Sequence, residues 1–308
     1  MEHDPTRRGA LQCLSLGAGV LFTLSGGMLR GVDLASAAEP GAMATTGIPL
    51  FVQISDTHIG FNKSANPDVV ATLNRAIDLV NALPVQPAFA LHTGDITHLS
   101  KAEQFDQANQ LLSRLRTSEL HVVPGEHDVT DGVGTAFFAH YGAASNGRGY
   151  YSFDHAGVHF VALVNVMQFT PGGLASLGND QLAWLKDDLA GRSASQPLVL
   201  FAHMPMWSIY DPWGWGSSDS DQVLALVNRF GSVTVLNGHI HQIVQKVEGN
   251  VTFHTARSTA YPQPAAGQGP GPGPLTVPSD QLAGMLGVTT ASRPSRHHPL
   301  QFTDTTLA

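Results

Sequence analysis

The chain has 308 residues, 43% of them apolar and only 13% charged, which supports a sizeable buried core and excludes a solvated disordered chain. Sixteen Lys and Arg against 24 Asp and Glu leave a net charge of −8, so the broad basic footprint of a nucleic-acid binder is missing and no such partner is expected. A single cysteine excludes a disulfide framework and any multi-cysteine zinc site.

The N-terminus reads as an address. Arg7-Arg8 stand directly before an apolar run from Leu11 to Met28, and Ala35-Ser36-Ala37 is a small-residue cleavage pattern. The paired arginines resemble a twin-arginine export signal. The alternative is a membrane anchor, but Gly26, Gly27 and Arg30 interrupt or end the run. Residues 1–37 are therefore expected to be cleaved, leaving a periplasmic or secreted protein without a stable membrane anchor. The machinery that reads such a signal is an expected partner. That route carries folded proteins, so a metal site can be filled before export.

The body alternates strands and helices. Pro49 to Ile54 reads as a short buried strand. Val69, Val70, Leu73, Ile77 and Val80 recur at the helical period within Pro67 to Leu83. Phe89 to Leu91 begins a second strand, which ends at Gly94-Asp95. Ser100-Lys101-Ala102-Glu103 is a capping-box pattern, opening a helix to about Leu115. Leu120 to Val123 is a third strand, so this half is expected to be a parallel α/β unit. Tyr150 to Phe153 and Val158 to Val164 read as a hairpin, Asp180 to Leu189 as a helix and Leu198 to Phe201 as a strand. Asp219 to Phe230 is a helix, Val233 to Leu236 a strand, and Val244 to Val247 with Val251 to His254 a second hairpin. From Pro262 to Pro278 the chain is rich in Pro and Gly and excludes regular structure. Residues 263–308 are expected to form a loosely attached tail.

Five polar clusters directly follow predicted strands: Asp56-Thr57-His58, Gly94-Asp95, Gly125-Glu126-His127-Asp128, His203 and Gly238-His239-Ile240-His241. Ligands of parallel α/β sheets bind at the carboxyl ends of strands, so these loops can converge. Taken singly, Asp-x-His, Gly-Asp and His203 are more often turns or a core histidine than ligands, and Gly-His-x-His is more suggestive; the order of all five carries the signal. Imidazoles and carboxylates without thiolate suit iron, manganese, zinc or cobalt. The ligands are too many for one tetrahedral zinc, whereas two ions roughly 3.5–4 Å apart use them all.

Together these residues resemble the calcineurin-like metallophosphoesterases, over about Leu50 to Pro262. Within that family they are most similar to the bacterial branch of class III cyclic-nucleotide and glycerophosphodiester phosphodiesterases. The resemblance implies a two-sheet α/β sandwich flanked by helices, spanning 48–262. It implies that Asp56, His58 and His241 bind one metal, that Asp95 bridges, and that His203, His239 and the position of Glu126 bind the second. His127 would lie near the leaving group, oriented by Asp128. The implied activity is hydrolysis of small phosphate esters, diesters before monoesters, by hydroxide generated at two ions of iron, manganese or zinc.

There is one departure, because the family's asparagine ligand is Glu126 here. The added charge suits a mixed Fe(III)/M(II) centre; the alternatives are a weakly active or non-catalytic metal- or phosphate-binding relative, or a Glu126 that swings away. The residues after Asp95 are Ile96-Thr97-His98, without the tyrosine of purple acid phosphatases. His92 and His98 flank that loop and read first as structural or surface residues, with support of the ligands as the alternative. Pro205 to Trp215 holds three of the four tryptophans and reads either as a packed loop or as an aromatic wall, with Tyr261 at its rim.

Overall fold

The computed structural model describes residues 15–16, 20–25, 28–33, 49–293 and 299–308. Ser15–Leu16, Val20–Ser25 and Met28–Asp33 (β1–β3) form an antiparallel sheet in a unit of their own. Arg7-Arg8 and the Ala35–Ala37 pattern lie outside the described residues. Among the described residues, no helix is long and apolar enough to cross a membrane.

The second unit, residues 46–308, has two mixed sheets. One has the order β14-β13-β4-β5-β6: Pro49–Ile54 (β4), Phe89–His92 (β5), Glu119–Val122 (β6), Gly287–Ser292 (β13) and Gln301–Thr306 (β14). The other has the order β11-β12-β10-β9-β8-β7: Tyr151–His155 (β7), Val158–Ala162 (β8), Leu198–Phe201 (β9), Val233–Asn237 (β10), Gln245–Glu248 (β11) and Val251–Thr255 (β12). β4, β5 and β6 pair in parallel, as the alternation of strands and helices requires.

Alternate residues of a strand face opposite sides, and here both sides are apolar. Phe51, Phe89, Leu91, Val199, Phe201 and Leu236 fill one cluster, to which both sheets contribute. Val52, Ile54 and Ala90 face the other way, packing with Leu73, Ile77 and Val80 of helix Val69–Asn81 (α1) and Phe105 of Ala102–Leu112 (α2). Leu198, Leu200, Val233 and Val235 pack with Leu185 of helix Asn179–Leu189 (α4) and Val223 of Ser220–Val227 (α5). A short helix, Thr135–Tyr141 (α3), follows β6. The result is the α/β sandwich that the resemblance implied.

The helix starts differ, and one local expectation changes. α1 is capped by Asp68, whose carboxylate accepts from Ala71 N at 2.9 Å. The capping box at α2 does not form: Lys101 is the N-cap and has no side-chain cap bond. Ser100 instead takes a left-handed backbone and donates its hydroxyl to the Asp128 carbonyl at 2.6 Å. The serine ties two site loops together rather than starting a helix.

The larger correction concerns the C-terminus. Residues 262–278 are irregular as expected, but the chain then forms helix Ser279–Met285 (α6), β13 and β14. β13 lies antiparallel to β4, with Thr289 opposite Gln53 and Thr290 opposite Val52. It is an interior strand of the sheet that carries Asp56 and Asp95, not a loose tail.

Candidate metal centre

Each polar cluster follows the C-terminal end of a strand. Asp56 and His58 follow β4, Asp95 follows β5, and Glu126 opens a 3₁₀ turn (Glu126–Asp128) after β6. His203 follows β9, and His239 and His241 follow β10. Asp56, His58, Asp95, His239 and His241 all have positive φ, between 42° and 68°. Such backbone is uncommon for residues with a Cβ and persists when neighbours over-determine it. Here Asp56 N donates to the Gly94 carbonyl at 3.0 Å, His58 N to the Asp95 carbonyl at 2.9 Å and Gly238 N to the His203 carbonyl at 3.0 Å. Gly238 has to be glycine, since a Cβ there would overlap Ser55 Oγ and Asp56 Oδ2.

The seven expected ligands converge. Asp56, His58 and His241 place donor atoms within 4.8 Å of one another, as do Glu126, His203 and His239. Asp95 lies between the groups: its Oδ2 is 3.5 Å from His58 Nε2 and 3.4 Å from His203 Nε2. Glu126 does not swing away. Its Oε2 is 2.8 Å from His203 Nε2, and its Oε1 is 3.1 Å from His239 Nδ1.

The free donor atoms fit cations. His203 Nδ1 donates to the Thr93 carbonyl at 2.7 Å, and His241 Nδ1 to the Tyr261 carbonyl at 2.6 Å. Such bonds leave each Nε2 lone pair for an ion. His203 Nε2 and Glu126 Oε2 are close together and buried, yet neither has a hydrogen bond of good geometry. Burial alone would lower the His203 pKa, but the Asp95 and Glu126 carboxylates raise it well above the ordinary histidine value. Burial would raise the Glu126 pKa, and His239 and His203 hold it well below the usual carboxylate range. A proton and a metal ion compete for such a place. His58 is kept neutral by burial and by the neighbouring His127, His241 and His98, the state a ligand needs.

His127 stands beside this group, its ring centroid 4.9 Å from that of His58. Asp128 does not orient it. The His127 Nδ1–H donates to the His98 carbonyl at 2.8 Å, while the Asp128 carboxylate accepts from the backbone of Ile96, Thr97 and Gly125 and from the Thr97 hydroxyl. Asp128 thus braces the Asp95 loop. Burial and the Asp95 charge push its own pKa up to about 7, against the backbone donors that lower it. His98 stacks on His127 at 4.8 Å and brings Nδ1 within 3.4 Å of His58 Nδ1. His92 meets Thr57 Oγ1 at 3.2 Å. Both flanking histidines thus touch the loop that carries Asp56 and His58.

The centre opens into a cavity of about 630 Å³. Phe61, Phe169, Trp213 and Tyr261 are in its wall, and Lys63 is the one lysine there. Only Trp213 of the 205–215 segment reaches the cavity. Trp215 is buried elsewhere, and Trp207 packs on Phe253. The Pro/Gly-rich stretch contributes Pro272, Gly273 and Pro274 to the wall, a role its composition did not signal.

The profile described as calcineurin-like phosphoesterase matches residues 49–243. The chain belongs to that family. A probable cyclic nucleotide phosphodiesterase of Rhodopseudomonas palustris is 25% identical over 222 residues, 68% of this chain and 78% of the relative. A glycerophosphodiester phosphodiesterase of Enterobacter lignolyticus is 27% identical over 239 residues, covering 70% and 79%. Among solved structures, a dimetal phosphatase of Danio rerio shares the fold with a TM-score of 0.65 at 15% identity, over 84% of this chain and 97% of that one. This calcineurin-like phosphoesterase is a metal-dependent phosphoric ester hydrolase.

Proposed function

We propose that the protein is an exported phosphoesterase that works with two ions and prefers diesters. The observation that carries the two-ion reading is Asp95, whose carboxylate lies between two separate His/carboxylate groups. Asp56, His58 and His241 would hold one ion and Glu126, His203 and His239 the other. When bound, such ions activate water and neutralise phosphoryl charge.

The chain's own residues supply the rest. Burial would lower the His127 pKa, but Asp95, Glu126, the His98 carbonyl and Asp128 raise it. The protonated ring, held at Nδ1, has Nε2 left to give a proton to a departing oxygen. The preference for diesters draws on the names of the two bacterial relatives and on a cavity with room for a second ester group. Metal-loaded protein is expected to turn over bis-p-nitrophenyl phosphate with higher kcat/KM than p-nitrophenyl phosphate. The reverse order would remove the diester preference, and loaded protein inert to both would favour the binding-only reading.

Glu126 bears on the metals. Two divalent ions against Asp56, Asp95 and Glu126 leave a formal charge of about +1, one unit below an asparagine-bearing site. A trivalent ion restores that unit. Glu126→Asn should move metal content toward divalent ions and raise activity with manganese. Unchanged metal content and kinetics would show that the Glu126 charge does not select the ions.

Export rests on the Arg7-Arg8 pair, the apolar run and the Ala35–Ala37 pattern. Cell fractionation should find the Arg7→Lys/Arg8→Lys protein retained in the cytoplasm. Undiminished export would exclude the twin-arginine route.

A further inference from the structure

Tyr261 lies in the loop after β12 with its side chain buried. Its phenol oxygen is 3.1 Å from His58 Nε2. That same nitrogen is 3.3 Å from His241 Nε2 and 3.5 Å from Asp95 Oδ2. Two atoms bound to one ion at about 2.1 Å, with about a right angle between the bonds, lie about 3.0 Å apart. The phenol oxygen is therefore spaced from His58 Nε2 as a fellow ligand would be.

The loop backbone is fixed to the same group. The Tyr261 carbonyl accepts from His241 Nδ1 at 2.6 Å. Ser258 Oγ donates to the Asp56 carbonyl at 2.7 Å and accepts from Tyr261 N at 3.2 Å. The ring stacks on His58 with centroids 4.8 Å apart. Position and orientation are thus set by the residues that would hold the first ion.

A hydrogen-bonding argument leads to the same place. With His58 Nε2 unprotonated, as metal binding requires, the phenol hydroxyl is placed to donate to its lone pair. An ion at His58 takes that lone pair, and a buried hydroxyl deprived of its acceptor is unfavourable. Joining the ion resolves this.

We propose that the Tyr261 oxygen, as phenolate, is a further ligand of the ion held by Asp56, His58 and His241. The inference rests on the reading that this group holds a metal. Ligation forms one metal–oxygen bond, breaks the phenol O–H bond and releases the proton to solvent; no electrons change hands.

The test uses the full chain, freed of metal, reconstituted with iron(II) and oxidised in air. Wild type should become coloured through a phenolate-to-iron(III) charge-transfer band, with tyrosinate modes in the resonance Raman spectrum. Tyr261→Phe should bind iron and lose the band, while Tyr210→Phe keeps it. A colourless iron-loaded wild type, or a band that persists in Tyr261→Phe, overturns the proposal. So does a wild-type Raman spectrum without tyrosinate modes, a readout that needs no variant. Failure of wild type to take up iron, manganese or zinc would instead overturn the metal reading itself, and this inference with it.

Discussion

Asp95→Asn is expected to leave the purified protein with less than half the metal of wild type. Its kcat/KM should fall by more than about 100-fold, since loss of even an outer-shell partner costs 10–100-fold. Asparagine tolerates the left-handed backbone that Asp95 adopts, so the change isolates the charge that sits between the two ligand groups. His127→Ala should behave differently. It keeps the backbone N–H that donates to Asp95 Oδ1 at 2.9 Å and removes only the ring, so metal stays. Turnover should drop roughly 10²–10⁴-fold, and less for substrates with good leaving groups, which need little protonation. Metal analysis beside kinetics separates the two variants. A His127→Ala protein emptied of metal would make His127 a ligand rather than an acid.

Removal of residues 279–308 should abolish the fold. β13 is paired on both sides, to β4 and to β14, and Leu286, Val288 and Leu307 are buried in the cluster that also holds α1 and α2. Burying each of these side chains contributes about 1.5–3 kcal/mol, so the three approach the 5–15 kcal/mol of a typical domain. The truncated chain should be insoluble, or soluble without a cooperative melt. A folded truncation within a few degrees of the wild-type Tm would show that β4 needs no neighbour on that side.

That strand also shows where the sequence stops being informative. β4, β5, β9 and β10 are runs of Val, Leu, Ile and Phe beside turn residues, and they were legible because both faces are buried. Gly287–Ser292 reads Gly-Val-Thr-Thr-Ala-Ser behind a Pro/Gly stretch, with little apolar signal; its place is set by a long-range pairing. The seven candidate ligands were legible for a different reason, since each follows a strand end and chemistry limits the residue types there. The resemblance implied that Asp128 orients His127, but the Asp128 carboxylate accepts from Ile96, Thr97 and Gly125 instead, and the His98 carbonyl that holds the ring carries no sequence signature. Tyr261 was visible only as an aromatic residue near the rim. Its closeness to His58 spans 203 positions, and no local pattern encodes that.

The left-handed turns at Asp56, His58 and Asp95, zipped to one another by backbone hydrogen bonds, bear on ionic radius. Donor atoms on flexible loops spread or close to suit whichever cation arrives, and affinity then follows the general order of the metals. Atoms carried by turns that are already strained and mutually bonded have little room to spread. Calcium, which needs six to eight oxygens at about 2.3–2.6 Å, is poorly matched to a group in which four of the seven candidate donors are histidines. An ion entering this centre would meet donors whose backbone the turns have already set.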